Sequence, residues 1–450
     1  MREELMRKLQ ILADSAKYDV SCSSSGSSRK SSGGLGNAHA AGICHSWASD
    51  GRCISLLKVL FTNKCAYDCE YCVNRRSNDF PRASFEPEEL AELTMEFYRR
   101  NYIEGLFLSA AVEKSPDYTG ERILRCLDIL RNTYAFGGYI HAKIIPGMSR
   151  ELVFGIGLLA DRVSVNIEMP SSKSLEAFAP QKKPAAIFAP MKQITNTLIE
   201  RKALKGPGNM FRGEDLNSAS GLIGGSGNML PARADRAKEV FAPAGQTTQM
   251  IVGAGGESDR SILTTSENLY KTFKMKRVYY SAYVPVVDSP ILPGRGTPPP
   301  LKREHRIYQA DWLLRFYGFK VDELFGAEDT ELDPDLDPKV IWAIRHLDEF
   351  PVEVNTASPE MLLRIPGIGE ISARRIIRQR RHAAVRYDDL KKMGVVLKRA
   401  RYFILCCGRY YGEADFEPDR IRSALLGQEQ GVQLSIFDRQ EEQHNDRLPL

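Results

Sequence analysis

Three cysteines, Cys65, Cys69 and Cys72, lie within the run NKCAYDCEYCVNR at residues 63–75, directly after an apolar stretch that reads as a β-strand. Three thiols on one short loop need a common fate, and the C-x3-C-x2-C spacing limits what that fate is. Cubane iron–sulfur clusters normally take four thiolates, so a three-cysteine loop leaves one iron open to a ligand that is not protein. Two alternatives compete. A zinc knuckle would require a fourth Cys or His nearby, and three free thiols could instead be packed into an ordinary core.

The spacing, with the aromatic Tyr71 just before the third cysteine, resembles the signature of the radical S-adenosylmethionine (radical SAM) superfamily. That resemblance implies a 4Fe-4S cluster held by Cys65, Cys69 and Cys72, whose open iron chelates the amino and carboxylate groups of S-adenosyl-L-methionine. It further implies a one-electron reductant such as flavodoxin or ferredoxin, and cleavage of the sulfonium to methionine and a 5′-deoxyadenosyl radical that abstracts hydrogen from a substrate. The protein contributes orientation and exclusion of water to such chemistry. No additional catalytic side chain is singled out by the sequence.

At 450 residues and 43% hydrophobic content, the chain is too long for one ordinary core and predicts a large domain with smaller ones attached. No run of about 18 apolar residues is present, and the charged, amphipathic start MREELMRKL lacks a signal-peptide core, which predicts a soluble, cytoplasmic protein without membrane association. Nine cysteines, an odd number, fit a reducing compartment better than a disulfide framework. The net charge of +5 is unevenly distributed: residues 364–409 hold 13 Lys and Arg against 3 Asp and Glu, a local +10 that leaves the remainder at −5.

Residues 1–54 read as a helix of about 20 residues followed by a Ser/Gly-rich segment. Cys22, Cys44, His45 and Cys53 cluster there in sequence, close enough for a second metal site, the alternative being small cysteines packed in an ordinary core. From residue 55 to 300, short β-rich runs alternate with helical periodicity, the pattern of a parallel sheet built from βα units. Six strands are predicted, at 56–62, 105–111, 139–146, 162–170, 246–254 and 277–286. Several are near-continuous apolar runs, as strands buried on both faces should be. Six βα units suit a partial (β/α)6 barrel, in which chemistry sits at the C-terminal ends of the strands. Residues 202–236, rich in Gly, Asn, Ser and Pro, read as an inserted flexible loop.

Polar residues fall at several of these strand ends. Ser109 ends the second strand where radical SAM proteins carry a Gly-rich turn meeting the S-adenosylmethionine amino group, although the chain has Ser-Ala-Ala in place of Gly-Gly-Glu. In the fourth, Ser164, Asn166 and Glu168 alternate with Val163, Val165 and Ile167, aiming three polar side chains at one face. That face is either the barrel interior, where the three could hold the ribose and methionine ends of the cofactor, or solvent. Gly253 ends the fifth strand and resembles the superfamily's adenine-binding stretch, where glycine lets backbone approach a nucleoside.

A second motif lies at residues 362–377, LLRIPGIGEISARRII, and resembles the helix-hairpin-helix of DNA repair proteins. Gly367, Ile368 and Gly369 form the hairpin, and the N–H groups opening the second helix suit a phosphate. Arg374 and Arg375 follow. A weaker copy is displaced by 27 residues, pairing Leu363 with Leu390, Gly367 with Gly394 and Ala373 with Ala400, and it adds Lys391 and Gly394 to the candidate contacts. Paired hairpins grip two backbones without reading bases, which fits the local +10. A helical protein-docking module is the alternative. The expected organisation is thus a helical connector at 301–350, a small all-α tandem helix-hairpin-helix domain at 351–411 and a polar tail at 412–450. In that tail Gln433, Leu434 and Phe437 belong to QLSIF, similar to peptides inserted into the bacterial sliding clamp, or else to a tail strand docked on its own domain.

Taken with residues 13–22, 42–47, 98–108 and 308–317, these motifs resemble the radical SAM family of DNA modification or repair proteins over roughly residues 10–410. The resemblance implies an enzyme acting on nucleic acid, DNA in the first instance. An RNA-modifying (tRNA) radical SAM enzyme and a non-catalytic, DNA-binding iron–sulfur redox sensor are the alternatives, because phosphate contacts alone do not separate DNA from RNA.

Overall fold

In a computed structural model describing residues 2–16, 43–47, 53–204, 240–412 and 415–427, the apolar runs become the strands of one seven-stranded sheet. Its members are β1 (Ile43–Trp47), β2 (Cys53–Leu60), β3 (Gly105–Ser109), β4 (Tyr139–Lys143), β5 (Arg162–Ser164), β6 (Gln246–Val252) and β7 (Arg277–Ala282), ordered as in the sequence. Strands β2 to β7 are all parallel, and the unanticipated β1 pairs antiparallel with β2. The result is a six-stranded parallel half-barrel with one antiparallel strand on its edge. Every residue of β3 is buried, as a strand covered on both faces requires. At its start a Cβ on Gly105 would stand 2.2 Å from the Tyr139 carbonyl oxygen, so that position admits no side chain.

The connecting helices follow the predicted periodicity. In Pro87–Arg99 the proline occupies the first turn, where no N–H is missed, and the Glu86 N–H donates to Glu89 Oε2 at 2.8 Å. Leu90, Ala91, Leu93 and Thr94 form its buried face. Ser115 caps Pro116–Asp128 by accepting the Tyr118 N–H at 3.1 Å.

Strand β5 ends earlier than its alternation predicts, and Thr248 is the reason. The Thr248 hydroxyl donates to the Val165 carbonyl at 2.7 Å and accepts the Ile167 N–H at 3.1 Å, standing where β6 backbone would otherwise pair. Glu168 then turns at φ +63° and rejoins β6 through a bridge to Met250.

The chain divides into two compact units, residues 1–257 with 264–304 and residues 258–263 with 305–450. The sheet belongs to the first. The core of the second is built on Trp342, which meets the rings of Phe319, His346 and Phe350 at centroid distances of 5.4, 4.4 and 6.1 Å. Its helices include Pro338–Arg345, Pro359–Arg364, Glu370–Gln379, Tyr387–Lys392 and Leu397–Ala400. To the expected helices the structure adds a three-stranded sheet of β8 (Val352–Glu353), β9 (Ile404–Cys406) and β10 (Arg409–Tyr410). Strands of two or three residues carry no readable period, which is why an all-α unit was expected.

Candidate functional site

The cysteine loop leaves the C-terminal end of β2, and its backbone is fixed to the neighbouring strand end. The Phe61 N–H donates to the Ser109 carbonyl and the Ala66 N–H to the Val112 carbonyl, both at 2.7 Å. Within the loop the Cys72 N–H donates to the Cys69 carbonyl at 3.0 Å. Arg82 gathers the rest: Nη1 donates to the Asn63 and Asn74 carbonyls at 2.7 and 2.8 Å, and Nη2 to those of Arg75 and Asn78 at 2.6 and 2.8 Å. Hydrogen bonds from charged donors contribute about 1.5–3 kcal/mol each and are not additive. Arg82→Met is therefore expected to cost about 3 kcal/mol of loop stability and to lower the iron bound per chain after reconstitution. An unchanged iron content and melting temperature would contradict this.

Cys69 is buried, while Cys65 and Cys72 are partly exposed to a cavity of about 470 Å³ that all three line. Burial raises the Cys69 thiol, and burial together with the other two sulfurs pushes Cys72 up to about 12. Without a cation, then, burial favours the protonated thiols of Cys69 and Cys72, whereas metal coordination deprotonates a thiol outright. Among the described residues no three His, Cys, Asp or Glu side chains converge on a single-ion site. Thiolates bound to separate irons of a cubane have no need to converge. The donor set fits a 4Fe-4S cluster with an open iron.

The cavity lies at the C-terminal ends of the parallel strands, and its polar lining is one connected network. Lys143, ending β4, donates to Asn166 Oδ1 at 2.5 Å and to Gln249 Oε1 at 3.4 Å. Asn166 Nδ2 reaches Glu168 Oε1 at 3.5 Å, and Lys182 Nζ donates to the same oxygen at 2.7 Å and to the Tyr71 hydroxyl at 3.2 Å. Burial pulls the Lys182 pKa down, but Glu168 and Tyr71 outweigh it and hold the ammonium well above its ordinary value. Burial, reinforced by Glu168, keeps the Tyr71 phenol protonated. Two residues of this lining, Asn74 and Tyr283, each carry a buried polar atom without a hydrogen-bond partner, Asn74 Oδ1 and Tyr283 Oη.

Of the positions singled out in the sequence, Tyr71, Ser109, Asn166 and Glu168 line this cavity with the three cysteines. Two others stand outside the lining. Ser164 is buried with its hydroxyl 2.9 Å from His141 Nε2, and Gly253 turns the chain at φ +81° against Pro300. Sequence reasoning missed Lys143, Lys182, Gln249, Asn74 and Tyr283. Lys143, closing an otherwise apolar strand, carried a usable signal; Lys182, in a helix-connecting segment, carried none.

In the second unit the 27-residue repeat is real in conformation, since Gly367 and Gly394 occupy equivalent turns at φ +83° and +86°. The turns are knitted together: the Val396 N–H donates to the Gly367 carbonyl at 2.9 Å and Arg375 Nη1 to the Met393 carbonyl at 3.1 Å. Ile368 is buried, anchoring the hairpin, and its carbonyl accepts Lys339 Nζ at 2.6 Å. Burial pushes Lys339 down to about 7. Gly369 caps the second helix without a side chain, leaving the first-turn N–H groups to an outside acceptor. Arg374, Arg375, Lys391 and Gly394 are exposed. Not all of the local +10 faces outward. Arg364 lies 4.5 and 4.6 Å from the Phe319 and Trp342 ring centroids and pairs with Glu323 at 2.8 Å.

Cys22, most of the 202–236 segment and the Gln433, Leu434 and Phe437 motif lie outside the described residues, as do the side chains of Cys44, His45 and Cys53. No helix among the described residues is long and apolar enough to cross a membrane.

A helix-hairpin-helix family profile matches residues 349–396. No curated protein matches the chain. Among solved structures, the chain is similar to the FeFe-hydrogenase maturase HydG from Carboxydothermus hydrogenoformans at 12% identity and a TM-score of 0.37, over 57% of this chain and 50% of that one. It is similar to methylornithine synthase PylB at 12% identity and 0.38, over 57% and 60%. For the radical S-adenosylmethionine methyltransferase TsrM from Kitasatospora setae, the values are 12% and 0.34, over 72% and 60%. The chain thus spans half to three-fifths of the length of each.

Proposed function

We propose that the protein is a radical SAM enzyme that modifies or repairs nucleic acid, with DNA as the preferred substrate. The observation that carries the reading is the placement of Cys65, Cys69 and Cys72, on the loop after the first parallel strand and lining one cavity with the polar strand ends. A 4Fe-4S cluster with its open iron and S-adenosylmethionine would supply one-electron cleavage and a 5′-deoxyadenosyl radical.

The chain's own residues do the rest. Asn166, Glu168, Lys143 and Gln249 offer a charged, hydrogen-bonding wall suited to the amino acid and ribose groups of a nucleoside sulfonium. Leu60, Val73, Ile144, Ile145 and Ile251 make the remaining wall apolar and exclude water. The hairpins hold the phosphate backbone, a flavodoxin or ferredoxin supplies electrons in the cytoplasm, and the QLSIF tail offers a sliding-clamp contact.

Three measurements test this reading against its alternatives. Competition among duplex DNA, single strands and tRNA should leave duplex DNA the strongest competitor, and tRNA winning would transfer the reading to RNA. Arg374→Ala and Lys391→Ala should each weaken duplex binding with little sequence preference and reduce the slope of log affinity against log salt by roughly 1. An unchanged slope would remove these side chains from the phosphate grip. A fully loaded cluster with no turnover of S-adenosylmethionine would favour the redox sensor.

A further inference from the structure

A cavity of about 690 Å³ opens in the second unit, and its wall combines features the hairpins alone do not require. Both hairpin turns line it, and so do Trp312, Ile371 and Val396, which are 51%, 62% and 49% exposed. Large apolar groups left this open beside a polar turn mark a binding surface. The Trp312 indole is held in place by Phe316, one helical turn on, with ring centroids 4.4 Å apart. Tyr317 adds a second aromatic wall, and its ring carries Lys339 Nζ 4.7 Å from the centroid. The same nitrogen donates to the Ile368 carbonyl at 2.6 Å, so one side chain links the Tyr317 wall to the first hairpin turn.

The charges on the lining suit an anionic polymer. Its two carboxylates are each neutralised within the unit, Asp337 by Arg399 at 2.7 Å and Glu370 by Arg374 at 3.0 Å, while the Arg375 side chain is exposed. Flat aromatic faces beside cations and free backbone N–H groups are the elements that hold an unpaired nucleotide, the base on the ring and the phosphate on the N–H groups. A peptide would use the apolar wall equally well, but it would leave the adjoining phosphate-suited turns without a role.

Resting on the nucleic-acid reading above, we infer that this cavity captures an unpaired base, stacked on Trp312, from a strand whose phosphates the hairpins hold. The preferred ligand is therefore a duplex carrying a bulged or displaced nucleotide, not a perfectly paired one. Fluorescence anisotropy with the full-length protein tests this, using a fully paired duplex and the same duplex with one extra unpaired thymine. Wild-type protein should bind the bulged duplex about tenfold more tightly, the typical worth of one stacked base. Trp312→Ala should remove that difference and leave paired-duplex affinity within about twofold, while Trp312→Phe should keep most of it. Half-exposed Trp312 is outside the core, and an unchanged melting temperature would show the variant folded. Equal wild-type affinity for both duplexes, or an equal loss on both in Trp312→Ala, would overturn the inference. Binding to neither would overturn the nucleic-acid reading and the inference with it.

Discussion

Replacing Cys69 with alanine is expected to eliminate 4Fe-4S assembly and, with it, cleavage of S-adenosylmethionine. The three cysteines are the whole of the protein's donor set on this loop, so losing one leaves two corners of a cubane unligated. The Cys69 sulfur is the cluster donor, and its side-chain hydrogen bond with Tyr71 is lost with it. The backbone carbonyl still accepts the Cys72 N–H at 3.0 Å, and alanine keeps that bond. The variant should therefore fold, and Arg82 should still hold its four carbonyls. Activity should fall by well over the 10- to 100-fold that accompanies loss of a residue merely orienting a metal ligand. Iron content, the cluster's visible absorbance and 5′-deoxyadenosine yield should drop together. An intact cluster with normal turnover in this variant would remove the cysteine loop from the chemistry.

Gly367→Ala carries the second large effect. The residue sits at φ +83°, and a Cβ there would lie 2.5 Å from the Val396 carbonyl oxygen and 3.2 Å from the Ala400 nitrogen. Both are backbone atoms, unable to rotate away. Strain of this kind costs about 1–3 kcal/mol, and the displaced turn also breaks the Val396 to Gly367 hydrogen bond that joins the two hairpins. Duplex affinity should fall about 10- to 100-fold, with a lower melting temperature for the second unit. Gly408→Ala is the matched control. It also has positive φ, at +75°, but an added Cβ would meet nothing within 4 Å, so it isolates backbone strain from the clash. Equal affinities for wild type and Gly367→Ala would show that the hairpin turn does not carry the contact.

How much of this was legible in the sequence depended on where the determinants lie. Apolar runs such as Gly105–Ser109 announce strands buried on both faces, and with the alternating run that opens at Arg162 all six parallel strands are legible as short β-rich segments between helices. The alternation of Ser164, Asn166 and Glu168 misled only in strand length, because a side chain distant in sequence, Thr248, replaces part of the ladder at Val165 and Ile167. Asn166 and Glu168 reach the cavity, whereas Ser164, two residues earlier on the strand, meets His141 below Lys143 and stands outside the lining. Lys182 meets Glu168 and Tyr71 only through the fold, so nothing local marks it. The hairpin repeat was readable because glycine at 27-residue spacing reports a backbone requirement, whereas the inward turn of Arg364 between Phe319 and Trp342 was not, since charge counting is blind to direction.

The most direct measurement is 5′-deoxyadenosine formed from S-adenosylmethionine by anaerobically reconstituted, reduced protein, with and without duplex DNA. Formation that depends on the three cysteines and rises when DNA is added is the expected result. A loaded cluster that forms no 5′-deoxyadenosine in either condition would contradict the assignment of a radical enzyme.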